Sequence, residues 1–371
     1  MTSRERLLCV LNGKTPDRVP VSTYELVGYD TKNFCNTEPS YGELMDYIRR
    51  KADCIAMWDA MSNRRLAASA YPVDVKVKES KIKDGYETKK SVRIGNKTLT
   101  CASRCFDGVY TVWETEPWCK NLDDVDTMLS IPYEPVKYDV SDYARIKEEV
   151  SDNGIIMPSL SDPAHTAMSM MEFSESLLWV MTETDHFAKA VDILHERIME
   201  NLRRELDVVV CDLYRICGPE YMTPPLLPRW CFERFMFPYV KDMVELIHSK
   251  GGKVRIHCHS NIGTLTDLLE KTGTDSIDPC EGPPDGDIEF FELKKRIGKN
   301  VTLFGNIELK LLENGTESEV REETRRIIEV GKPDGRFVIM PTAAPINVPL
   351  SKRTQANYMA YIDEALSIGV Y

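Results

Sequence analysis

Lys253-Val-Arg-Ile-His257, continued by Cys258-His259, is a short run of alternating character that ends in two histidines. Five residues with β-branched Val254 and Ile256 at every second position predict a strand. Strand side chains at i and i+2 share a face, so His257 and His259 are predicted to converge at that strand's C-terminal end. Outward from it the same unit recurs. Gly154-Ile-Ile-Met157, Val208-Val-Val-Cys211, Thr274-Asp-Ser-Ile-Asp278, Val301-Thr-Leu-Phe304 and Arg336-Phe-Val-Ile-Met340 read as short apolar strands. Helical periodicity falls between them, over 187–205, 233–249, 288–297 and 318–330. Strands of this kind alternating with helices predict a parallel sheet covered on both faces. Two earlier runs, Arg18-Val-Pro-Val-Ser22 and Cys54-Ile-Ala-Met-Trp58, bring the strands to eight, which predicts an α/β fold of the closed (β/α)₈ barrel type. No Gly-x-Gly-x-x-Gly follows a strand and no Gly-Lys-Ser/Thr loop occurs, so a nucleotide-binding sheet is disfavoured.

The segment from about 72 to 117 has a different period. Val73-Asp-Val-Lys-Val77, Lys90-Ser-Val-Arg-Ile94 and Gly108-Val-Tyr-Thr-Val-Trp-Glu114 alternate apolar and polar, with Gly85 and Asn96 as turn residues. Period-two patterning predicts antiparallel strands with one wet face, read here as a β-meander inserted in a single domain over 1–371. Hydrophobic residues are 42% of the chain and charged residues 29%, enough for a large core and a solvated surface. The net charge of −12 argues against nucleic acid or an anionic membrane as partner. The opening Met1-Thr-Ser-Arg-Glu-Arg6 lacks the apolar run of a signal peptide, and no stretch has the roughly 18 apolar residues of a membrane span. Eleven cysteines without a spacing framework read as thiols, which predicts a cytoplasmic protein. Oligomeric state is left open, a homodimer included.

In such a fold, ligands bind where the strands end. The polar residues closely following the apolar runs are Tyr24 and Glu25, Asp59, Ser159, Ser161 and Asp162, Asp212, His257 and His259, Cys280 and Glu281, Asn306 and Glu308, and Thr342. The histidine pair is the sharpest feature. Paired imidazoles suit a divalent ion such as Zn²⁺, and Cys280 or Glu281 on the next strand could add a third ligand, leaving one position open. Direct use on substrate as acid or base, or a structural role for the pair, fits the same spacing. Gly218-Pro-Glu-Tyr-Met-Thr-Pro-Pro-Leu-Leu-Pro228 is a rigid loop that could hold Glu220 and Tyr221 over the strand ends, or serve only as a connector. Asp287 is expected to cap the helix that follows it. Asn306, after an apolar strand, could bind ligand or satisfy backbone groups.

The chain resembles the uroporphyrinogen decarboxylase superfamily, which includes corrinoid- and coenzyme M-linked methyltransferases. The resemblance is carried by Arg4-Glu-Arg6, Pro16-Asp-Arg-Val-Pro20, Pro238-Tyr239, Lys250-Gly-Gly-Lys-Val254, the His257-Cys-His259 strand, Glu281-Gly-Pro-Pro-Asp-Gly-Asp287 and Leu303-Phe-Gly-Asn-Ile307. True decarboxylases carry an Arg-Gln-Ala-Gly-Arg segment after the first strand, whose arginines grip substrate carboxylates. Here that region is Tyr24-Glu-Leu-Val-Gly-Tyr29, and Glu25 would repel a polyanionic porphyrinogen. The methyltransferase branch is the nearer likeness. Its members hold zinc through a His-x-Cys pair and a cysteine in the last strand's loop. This chain has His257-x-His259, and Pro341-Thr-Ala-Ala-Pro345 has no cysteine. Imidazole and carboxylate ligands are harder than thiolates, which points to an O- or N-methyl compound as the small-molecule methyl donor. The resemblance implies a cobamide on a separate corrinoid protein, since no Asp-x-His-x-x-Gly motif is present. On this reading a metal on His257 and His259, with Cys280 or Glu281, activates the leaving atom, and Glu25, Asp212, Glu220, Tyr221 and Asn306 line the pocket or supply the acid. The rivals are a decarboxylase or lyase on a small carboxylic acid, for which Arg215 and Arg255 are the cationic candidates, and a barrel that binds ligand without catalysis.

Overall fold

A computed structural model of the chain describes residues 1–29 and 33–371. The fold is mixed α/β. Helix Ser3–Leu11 opens the chain with a capping box between Thr2 and Glu5. The first parallel strand is β1 (Cys54–Met57). It is followed by an antiparallel sheet of β2 (Val75–Ile82), β3 (Gly85–Ile94), β4 (Lys97–Phe106) and β5 (Trp113–Glu116), paired in chain order. This is the expected meander with one more strand. Its last strand starts at Trp113, because Val109 instead bridges Asn347.

Apart from a short antiparallel pair, Met61–Ser62 with Tyr138–Asp139, the remaining strands are parallel: β6 (Gly154–Met157), β7 (Ser159–Ser161), β8 (Leu213–Cys217), β9 (Lys253–His257), β10 (Ser276–Asp278), β11 (Thr302–Ile307) and β12 (Phe337–Pro341). β7 to β12 pair consecutively as one six-stranded sheet, and β1 pairs with β6. Single bonds join these pieces. Arg215 N donates to Pro158 O, Asp53 N to Val21 O, Ser22 N to Ile339 O and Ile339 N to Pro20 O. The expected first strand, Arg18–Ser22, is thus an extended segment with isolated bridges. Pro20 has no N–H to donate, which interrupts any ladder there.

Two buried clusters flank the parallel strands. The smaller takes Leu7, Val10 and Leu11 from the first helix together with Ile55, Ile155, Met157, Leu213, Phe304, Val338 and Met340 from five strands. The larger takes the opposite strand faces, such as Ile156, Ile216, Ile256 and Ile339, and the covering helices. Strands apolar on both faces are therefore packed on both faces.

One strand lies away from its expected place, with a consequence for function. Val208–Cys211 is not a strand. Helix Thr184–Val208 continues to Val208, and the strand follows at Leu213–Cys217. Three consecutive valines read as β, but the helix's apolar stripe (Phe187, Ala190, Val191, Leu194, Leu202, Leu206) extends the helical register to its end. Asp212 consequently sits before β8, at its N-terminal end. Two smaller differences concern helix ends. The 233–249 segment is two helices, Arg229–Phe235 and Phe237–Ser249, parted near Pro238. Asp287 does not cap Phe290–Ile297; its carboxylate accepts from Gly263 N at 2.7 Å.

Candidate active site

His257 ends β9 and His259 follows it. Their rings lie 4.6 Å apart, nearly perpendicular at 87°. Each is steered through Nδ1 by a carboxylate: His257 bonds Asp278 Oδ2 at 2.9 Å, and His259 bonds Glu281 Oε2 at 2.9 Å. The parallel register sets this up, because β10 places Asp278 directly beside His257. With carboxylates accepting, Nδ1 carries the proton and the Nε2 lone pairs are left free. This is the outer-sphere pattern that orients metal-binding histidines.

Behind the pair lies a buried charge cluster. Asp278 is 1% exposed, and its second oxygen is 3.1 Å from Arg255 Nε. Arg255 also stands over the Phe304 ring. Arg215, the register partner of Arg255, donates to Glu25 at 2.8 Å and to the Tyr24 hydroxyl at 2.7 Å. Burial alone would raise the Asp278 carboxyl, yet Arg255, His257 and Arg215 together hold it well below the usual carboxylate range. Burial lowers His257, and the nearby Asp278 only partly offsets it. At His259 burial also disfavours charge, but Glu281 outweighs it and raises the ring's pKa. Glu308, just past β11, is pushed up to about 7 by burial and by Glu281.

The residues expected in the site divide as follows. His257, His259, Glu281, Glu25 and Asn306 belong to the strand ends. Glu281 is the partner of His259 Nδ1 rather than a further free ligand. Cys280 is 1% exposed, its thiol is turned back to Ile277 O, and burial raises its pKa well above the ordinary value. Neither of the two is therefore presented as a third metal ligand. Asn306 donates to Cys280 O at 2.9 Å, and its own buried side-chain oxygen has no hydrogen-bond partner among the described residues. Glu220 accepts from Gly218 N, and Tyr221 stacks on His165 at 4.7 Å. They join Asp162, whose carboxyl burial pushes up to about 7, in a cluster beside the pair. Gly218, at φ +118°, leaves room for Asp162; a Cβ there would meet its Oδ2. Asp212 is outside the site. Its carboxylate takes a bidentate bond from Arg4 on the first helix, at 2.8 and 2.5 Å. Asp278, Arg215 and Arg255 do more in the site than the sequence reading gave them. The signal for them was present: a charge at alternate positions inside otherwise apolar strands.

Two nitrogen ligands on one zinc at about 2.0 Å and 90–110° would set ring centroids about 4.5–5 Å apart. The observed separation, the free Nε2 atoms and the carboxylate partners fit His257 and His259 as a pair of metal ligands. No group of three or more His, Cys, Asp or Glu side chains placed to hold an ion exists among the described residues. Also among the described residues, no helix is long and apolar enough to cross a membrane.

With this geometry in view, the class is defined by comparison. The family model of uroporphyrinogen decarboxylase (URO-D) matches residues 114–353, more than half of the chain, and the chain belongs to that family. Among solved structures it is similar to a methyltransferase from Methanosarcina mazei, with a TM-score of 0.63 and 16% identity over 99% of both chains. The two share a fold over their whole length. A psychrophilic family 10 endo-β-1,4-xylanase overlaps 56% of this chain and 72% of its own at 10% identity, with a TM-score of 0.32, too low to bear on the fold. A search of curated proteins found no match.

Proposed function

We propose that this chain is a methyltransferase of a corrinoid-dependent demethylation system, moving a methyl group from a small O- or N-methylated compound to a cobamide held by a separate protein. We further propose that its eight parallel segments form one closed (β/α)₈ barrel over 1–371, with the meander at about 72–117 as an insertion. The backbone bonds at Val21 and Ile339 and the small inner cluster support closure. The observation that carries the functional reading is the pair of imidazoles, each locked by a carboxylate, with both Nε2 atoms free.

His257 and His259 would hold a divalent ion, zinc by donor type, which when bound supplies Lewis acidity to the heteroatom carrying the methyl group. Asp278 and Glu281 fix the two rings. Glu25, pinned on one oxygen by Arg215 and with 41% of its side chain exposed, faces the substrate space. As the bond between methyl carbon and heteroatom breaks, its electron pair stays on the heteroatom. Glu308, whose carboxyl burial pushes up to about 7, would give that atom its proton from its neutral form. The lyase alternative is weaker because both arginines it needs are already neutralised, Arg215 by Glu25 and Arg255 by Asp278.

The test is elemental analysis joined to a methyl-transfer assay. Wild type is expected to hold about one zinc per chain and to methylate reduced cobalamin from a methoxybenzene or a methylamine. His257→Ala and His259→Ala lose both properties, while Cys280→Ser keeps its metal. Full metal content in the His257→Ala/His259→Ala double variant, or no transfer from either donor class, overturns the proposal.

A further inference from the structure

A cleft of about 280 Å³ lies between helix Thr184–Val208, the 64–68 segment and the end of β7. Its lining does not include His257 or His259, and it adjoins the Tyr221 cluster through His165. Leu160, in its wall, pairs with Ile216, whereas Ser161, also in its wall, pairs with Cys217, the register partner of His257. Trp118 and Met243 give the cleft apolar surface, and Arg64 and Arg65 stand exposed at its edge.

Glu205 lines this cleft and is out of place by the logic of its helix. Ile198, Asn201, Leu202 and Glu205 follow the i, i+3, i+4, i+7 spacing of a buried stripe, and Glu205 is only 6% exposed. Burial, with Asp59 nearby, pushes its carboxyl up to about 7, while the charge of Arg64 and a hydrogen bond with Tyr138 favour the ionised form. Among the described residues neither Glu205 nor the two arginines forms an ion pair. A buried carboxylate without a direct ion pair is costly, so a cleft that retains one beside exposed arginines is suited to a ligand that brings a cation to the carboxylate.

We propose that the cleft is a second ligand site that takes a small zwitterion, with its ammonium group on Glu205, its carboxylate at Arg64 and Arg65, and its aliphatic part against Trp118 and Met243. Nothing in this depends on metal or methyl transfer at the histidine pair.

Isothermal titration of the full chain with 4-aminobutyrate and glycine betaine tests it, with butyrate and butylamine as singly charged controls. At least one zwitterion is expected to bind, and more tightly than either control. Glu205→Gln weakens it by about tenfold or more, as expected for a lost charge-assisted contact. Arg64→Ala/Arg65→Ala, at exposed positions that leave the core intact, weakens it as well. His257→Ala leaves it unchanged, which separates this site from the catalytic reading. Binding of neither zwitterion, equal binding by the arginine double variant, or a control that binds as tightly as the zwitterions overturns the proposal. If Glu205→Gln fails to fold by circular dichroism, the arginine variant decides.

Discussion

Replacing Asp278 by Asn is the sharpest perturbation of the charge cluster. The change keeps side-chain volume, so it opens no cavity. It removes the anion that Arg255, His257 and Arg215 surround. Arg255 has 3% of its side chain exposed and cannot recover its hydration in place. Breaking a buried pair from one side costs about 3–5 kcal/mol, because the remaining charge is left uncompensated. For 371 residues the unfolding entropy at the midpoint is about 0.8 kcal/mol/K, so Tm should fall by about 4–6 °C. Differential scanning calorimetry reads this directly. Adding Arg255→Met removes the stranded cation with a side chain of similar length, and the double variant should regain at least half of the loss. A single variant within about 1 °C of wild type, or a double variant no better than the single, refutes the claim that Asp278 holds these charges together.

Two further outcomes follow from positions away from the histidines. Asp212→Asn breaks the bidentate bond to Arg4 and should lower Tm by about 1–4 °C, with zinc content and methyl transfer unchanged; a selective loss of turnover would return Asp212 to the site. Glu205 has a folded-state pKa of about 7 against an unfolded value near 4.3, so the folded state binds the extra proton between these values. Stability from this group is therefore lost as pH rises from about 4.5 to 7, by up to about 3 kcal/mol, and Glu205→Gln should flatten that part of the Tm–pH profile measured by calorimetry.

Much of the architecture was legible because it rests on short-range rules. Period-two patterning gave the meander, and apolar runs alternating with helical segments gave the parallel strands. Gly154–Met157 and Lys253–His257 stand where the pattern puts them. Residue spacing also placed His257 and His259 on one face. The error at Val208–Cys211 arose because β-branched residues carry a strand signal even where an amphipathic helix has not yet ended. That displacement of the strand's start from Val208 to Leu213 moved Asp212 from the C-terminal end of a strand to its N-terminal end, and from a candidate acid to the partner of Arg4.

What the sequence by itself determined is the family, the alternation of elements and the convergence of two imidazoles. Each depends on residues near one another in the chain or on motifs read whole. What only the tertiary structure decided is who partners those imidazoles. Asp278 meets His257 across 21 positions, Glu281 meets His259 across 22, and Glu25 meets Arg215 across 190. The first of these pairings is set by the register between parallel strands and the other two by loops that the fold brings to the strand ends, and side-chain periodicity along one strand can specify neither.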